Sequence, residues 1–221
     1  PDVTAGTTSY HGTRVSGVAA GVTNNTTGLA GTAGGWSSSG GARLMALRAG
    51  SGSSIWYDAS ALEYAIDNGA HIVNMSYGGL VSYEEDSVAV ADAYNAGIVL
   101  VGIAHELDGG DPYYGNVVRY PARYPQVIAV GGMNYFDDQW GNWGNELDIV
   151  SYAAGSDPPT ARGISYPDSG GGYGFLGAGH SVSAPRVCGV IALMMSVNPN
   201  LVGQPEEVRR ILCRTADRIG W

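Results

Sequence analysis

The sequence predicts an α/β domain of three layers, a mainly parallel β-sheet with helices on both faces. Three observations lead there. Short apolar runs such as IVLVGIA (98–104) and VIAVGGM (127–133) show no polar alternation, as expected of strands covered on both sides. Helical patterns fall between these runs, which calls for crossover connections and parallel pairing. The 35 glycines among 221 residues lie between apolar segments without a three-residue period, so they mark tight turns and not collagen.

The elements follow in order. A helix is expected at or just after His11, where small and apolar residues recur with helical spacing. RLMALR (43–48) reads as a buried strand. Residues 58–69 (DASALEYAIDNG) read as a helix, with Asp58 or Ser60 near its N-cap and Gly69 at its C-terminal end. HIVNMSYGG (71–79) reads as a strand running into glycines. The unit repeats as a helix at 86–96, ended by Gly97, and a strand at 98–104. VIAVGGM (127–133) and LDIVSYA (147–153) supply further strands. Residues 181–196, rich in Ala and Val, read as a helix buried on most sides, and 205–216 as a helix opening on Pro and two Glu. The Gly-, Pro- and Ser-rich loop 155–174 is too short to hide a boundary, so 1–221 reads as a single domain.

Hydrophobic residues make up 44% and charged residues 14%, enough apolar surface for a sizeable core. The formal net charge is −9, and all 11 basic side chains are Arg. No basic patch suggests a nucleic-acid partner, and the acidic, Lys-free composition suits a soluble, extracellular, monomeric protein. No uninterrupted run of 18 apolar residues predicts a membrane span. The chain begins with Pro1 and not Met, so it is expected to be processed or truncated. Cys188 and Cys213 either pair with each other or lie free, and the sequence leaves both open.

Two segments carry candidate chemistry. His11 stands at the start of a predicted helix, where the helix dipole disfavours imidazolium and keeps a base neutral. Ser181 follows a glycine-rich stretch at the start of the long apolar helix, where free backbone N–H groups favour a developing oxyanion. HGTRVSGVAAG and GHSVSAPRVCGVIAL together resemble the histidine and serine segments of the subtilisin-like peptidases. ALEYAIDNGAHIVNMSYGG, GIVLVGIAHE, RYPARYPQVIAVGGM and the closing NPNLVGQPEEVRRILCRTADRIG resemble further segments of that family in the same order.

The resemblance implies a subtilisin-like fold and a serine endopeptidase working through an acyl-enzyme. His11 would be the general base and Ser181 the nucleophile. Ser76, Tyr77, Gly78 and Gly79 would form an edge that pairs with the backbone of a polypeptide substrate. Three departures stand out. Ten residues precede His11, and Asp2, their sole acid, lies in a polar stretch, so the strand carrying the triad Asp is expected outside this chain. With its last residue just past the closing helix pattern, the chain is expected to be cut at both ends. The oxyanion Asn position falls on Glu106, which can donate only when protonated. His180 stands where the family has Thr, and reads as a local substitution without a role.

Those departures keep a second reading alive, a catalytically impaired relative that binds extended peptides. Other rivals fall. Residues 179–183 (GHSVS) approach the G-x-S-x-G elbow, but no His follows Ser181 as that fold requires. The loop at 50–54 (GSGSS) lacks both the dinucleotide fingerprint and a P-loop Lys. No cofactor or metal site is expected. Residues 24–28 (NNTTG) lie where relatives often hold calcium, yet they offer no carboxylate and read better as a polar turn.

Overall fold

The computed structural model describes residues 11–37, 39–51, 54–55, 58–105, 117–134, 136–153, 164–167, 173–176 and 179–219, and every structural statement concerns these. α1 (His11–Ala20) is followed by a short hairpin of β1 (Gly50–Ser51) and β2 (Ser54–Ile55). Then come α2 (Asp58–Asp67), β3 (Ile72–Met75), α3 (Glu84–Asn95), β4 (Val99–Ile103), β5 (Val127–Met133), β6 (Gln139–Trp140) and β7 (Ile149–Tyr152). β8 (Ile164–Pro167) and β9 (Tyr173–Leu176) form an antiparallel hairpin. A 3-10 turn (His180–Val182) leads into α4 (Ser183–Val197), and α5 (Pro205–Thr215) follows.

The sheet runs β3-β4-β5-β7, all parallel. β4 pairs with the first half of β5, Leu100 opposite Val127 through Ile103 opposite Val130. Past that point β6 takes the same edge in antiparallel sense, with Gly132 opposite Trp140. β4 has therefore left the sheet where β6 enters.

β4 shows why the layers form. Val99, Val101 and Ile103 face a core built with α4 and α5, while Leu100 faces a core built with α2 and α3. A strand with both faces buried has no use for polar alternation. The expected three-layer architecture is thus the one formed. α1 packs outside it, against α4. Gly189 of α4 permits that approach, since a Cβ there would run into Thr32 and the Ala19 carbonyl.

The apolar stretch His180–Val197 has the length and mean hydropathy, 1.3 over 18 residues, of a membrane-crossing helix. It is the core helix of this fold, packed on β3, β4, β5 and β7. α5 is held to the sheet by a bidentate ion pair. Arg209 Nε donates to Asp148 Oδ1 and Nη2 to Oδ2, each at 2.8 Å, and Asp148 Oδ2 also accepts the Ala129 N–H at 2.9 Å.

Several expectations need correction. Residues 43–48 form no strand and are mostly exposed, Leu44 at 56% and Met45 at 41%, because no neighbouring strand is there to pair with them. β3 ends at Met75 and does not run to 79. α3 begins at Glu84, ahead of the expected 86, because Glu84, Glu85 and Asp86 suit a helix N-terminus. α4 is less enclosed than expected, with Val190, Leu193 and Val197 exposed along one side. The loop at 155–174 contains β8 and the start of β9. Of the two states left open for the cysteines, the free one is found, with Cys188 buried and Cys213 exposed.

Candidate active site

His11 is the first residue of α1. It keeps an exposed surface. Partial desolvation, and after it the charge of Arg14 one turn along the helix, hold its imidazole below the ordinary histidine value. α1 lies against α4 and against the 3-10 turn that contains Ser181, with Cα atoms of the two elements within 8 Å. Ser181 itself is half-buried in that turn. Gly179 enters it with its N–H bonded to the Ala153 carbonyl at 3.0 Å, and the Val182 N–H returns to the Gly179 carbonyl at 3.2 Å. The fold thus brings α1 and the turn that contains Ser181, far apart in sequence, against each other.

A polar relay fixes the turn from beneath. Ser76 Oγ donates to the Ser181 carbonyl at 2.9 Å, and Asn74 Nδ2 donates to Ser76 Oγ at 2.9 Å. Cys188 Sγ donates to Asn74 Oδ1 at 3.7 Å. Strand β3, the segment after it and α4 are therefore joined by side-chain hydrogen bonds directly under Ser181. Sequence reasoning missed Asn74, although a polar residue inside the apolar run IVNM is the kind of signal that demands a partner.

Of the predicted substrate edge, Ser76 is buried and Tyr77, Gly78 and Gly79 are half-buried. Gly79 exchanges both backbone hydrogen bonds with Tyr120, each at 2.9 Å, so its main chain is already engaged within the protein. Tyr77 lies beside the carboxylates of Asp58 and Asp86, and burial followed by their charges pushes its hydroxyl up from the usual tyrosine value. Burial, the charge of Asp58 and a hydrogen bond to it push Asp86 up to about 6. Asp2 and Glu106 lie outside the described residues.

His180, expected to be a local substitution without a role, is fully buried and stacked on Trp140. Nothing in the sequence links the two, since 40 residues separate them. Residues 24–28 form an exposed series of bends in which Asn25 Oδ1 accepts the Thr27 N–H at 3.0 Å. Among the described residues no group of three His, Cys, Asp or Glu side chains is arranged to hold a metal ion.

Comparison with known proteins now decides the family, since the subtilase family profile matches residues 2–220. The chain belongs to the subtilase family. A thermophilic serine proteinase of Bacillus sp. strain AK1 is 35% identical over 214 residues, covering 95% of this subtilase and 47% of that protein. Thermitase of Thermoactinomyces vulgaris is 33% identical, covering 95% of this chain and 68% of its own. Subtilisin E of Bacillus subtilis strain 168 is 33% identical, covering 96% and 52%. The subtilase described here thus spans about half to two thirds of the length of these relatives. In fold it is similar to a protease from Pseudoalteromonas arctica PAMC 21717, with a TM-score of 0.76 at 24% identity, covering 96% of this chain and 65% of that one. The prenylagaramide maturation protease PagA gives the same TM-score at 22% identity, covering 98% and 76%.

Proposed function

We propose that this subtilase chain is the greater part of a serine endopeptidase domain, with His11 as general base and Ser181 as nucleophile. The supporting observation is the hydrogen bond from Ser76 to the Ser181 carbonyl, 2.9 Å, which ties the proposed substrate edge to the turn bearing the nucleophile. A polypeptide laid along Ser76, Tyr77 and Gly78 has its scissile carbonyl beside that turn. Ser181 Oγ attacks the carbonyl carbon and its proton passes to His11, which then protonates the leaving amine. Water, deprotonated by His11, attacks the acyl-enzyme and releases the acid. The Ser181 N–H donates to the oxyanion in both steps.

The remaining parts of the triad belong to the same proposal. The free edge of β3 has no partner among the described residues, and segment 43–48 forms no strand. In this reading a further parallel strand ending in an acid pairs with that edge and supplies the carboxylate that orients His11. The acidic, Lys-free composition supports an extracellular, monomeric enzyme with neither nucleic-acid nor membrane partners. No cofactor takes part in the reading, and residues 24–28 serve as a turn.

A fluorophosphonate probe tests the nucleophile. It is expected to label Ser181 in the wild-type chain and to leave Ser181→Ala unlabelled. The rate should still hold at pH 6.5, where an ordinary histidine is half-protonated, and fall only at lower pH, because burial and Arg14 hold His11 under its ordinary value and it must be neutral to accept the proton. Glu106→Asn is expected to raise the rate about 10²–10³-fold by restoring an oxyanion donor. A folded wild-type chain that takes up no probe at pH 8 turns the assignment over to a peptide-binding relative.

A further inference from the structure

His180 directly precedes Ser181 and is 0% exposed. Its ring stacks on Trp140 with centroids 4.6 Å apart and planes 5° from parallel. Nε2 lies 2.5 Å from the Trp140 carbonyl oxygen. That oxygen only accepts, so Nε2 carries the proton and donates it. The slot is shaped for an imidazole. Gly132 of β5 and Gly141 line it, and a Cβ on either would run into the ring. Gly141 is also at φ +100°, a conformation that L side chains resist.

The same short segment reaches the other side of the site. Asn142 donates its N–H to the His105 carbonyl at 3.0 Å, and His105 is where the chain leaves β4 towards Glu106. Residues 140–142 therefore tie the turn ahead of Ser181 to the segment ahead of Glu106. On the helix side, the His180 carbonyl accepts Ser183 Oγ at 2.7 Å. Ring, slot and carbonyl together fix the residue on which the Ser181 backbone is hung.

We propose that His180 is a positioning residue, whose neutral ring, keyed into the slot made by Trp140, Gly132 and Gly141, sets the pose in which Ser181 presents its hydroxyl. Protonation places a charge in a dry slot and disfavours that pose. His105 is the ionisable group whose charge acts on the ring, whereas Gly132 of β5, Trp140 of β6 and Gly141 carry none. Burial, helped by His105 and opposed by the Trp140 hydrogen bond, brings His180 down to about 4, so the keyed form holds at neutral pH. The inference rests on the reading of Ser181 as nucleophile.

Fluorophosphonate labelling of the full chain tests it, with rates taken per folded molecule by near-ultraviolet dichroism. His180→Phe keeps a stacking ring and loses the donor. It is expected to slow Ser181 labelling about 10–100-fold at pH 8, the scale of a small misplacement of a reacting group. His180→Gln restores a donor and is expected to recover part of that loss, which a merely structural role would not require. The wild-type rate should steepen in its fall near pH 4, and the His180→Gln rate should not; a step retained in His180→Gln overturns the proposal even where His180→Phe fails to fold. A folded His180→Phe chain that reacts at the wild-type rate overturns the proposal alone. A wild-type chain unlabelled at pH 8 overturns the nucleophile reading, and this proposal with it.

Discussion

Asp86 shows how a single residue reports its surroundings. A carboxyl group raised from 3.8 to about 6 in the fold gives up its proton more readily in the unfolded chain. Stability is therefore lost as pH rises through this interval, and the folded state is least favoured above pH 6. Asp86→Asn is expected to stabilise the fold at pH 8 by about 1 kcal/mol once solvent screening at this half-exposed position is allowed for, seen as a raised thermal midpoint, and to do almost nothing at pH 3.5. An equal effect at both pH values would show that ionisation of Asp86 is not the cause. His11 and Ser181 were proposed from the sequence because the motifs around them resemble two segments of one family, not because either stands out as a single residue. Asn74 and Trp140 were not, because what makes them matter is a partner far along the chain.

Among the elements, α5 depends most on one contact. Its strongly amphipathic sequence buries Val208 and Leu212, but the ion pair of Arg209 with Asp148 sets how it lies on the sheet. Asp148 does two jobs, since it also accepts the Ala129 N–H of β5. Asp148→Ala is expected to cost about 3 kcal/mol and Arg209→Met about 1–2 kcal/mol, because only the first strands a buried strand N–H and a partly buried guanidinium. Urea denaturation of the two variants measures this, and equal losses would assign the whole effect to the ion pair. Helices and buried strands were readable here to within a few residues, since 3.6-residue periodicity and unbroken apolar runs are local properties. Segment 43–48 misled for a physical reason: an apolar run makes a strand only where another strand offers its hydrogen bonds.

At the scale of the whole molecule the open edge of β3 is the main feature. A version of the chain carrying an apolar strand that ends in Asp-Ser-Gly or Asp-Thr-Gly ahead of Pro1 is expected to protect the β3 amides from hydrogen exchange. It should also raise the Ser181 labelling rate on the order of 10⁴-fold, the scale set by a carboxylate that orients the base. Protection without a rate increase would separate the strand from the catalytic carboxylate. The chain's own letters pointed to the layered fold through periodicity, and to the family and the two residues proposed for the chemistry through motifs that are each continuous in sequence. Only the folded chain decided what surrounds them. The links from Cys188 to Asn74 and from Ser76 to the Ser181 carbonyl, the seat of His180 against Trp140, and the engagement of Gly79 by Tyr120 all join residues about 40 or more apart. Such contacts exist only once the sheet has set its register, since a hydrogen bond is fixed by distance and angle and not by order along the chain.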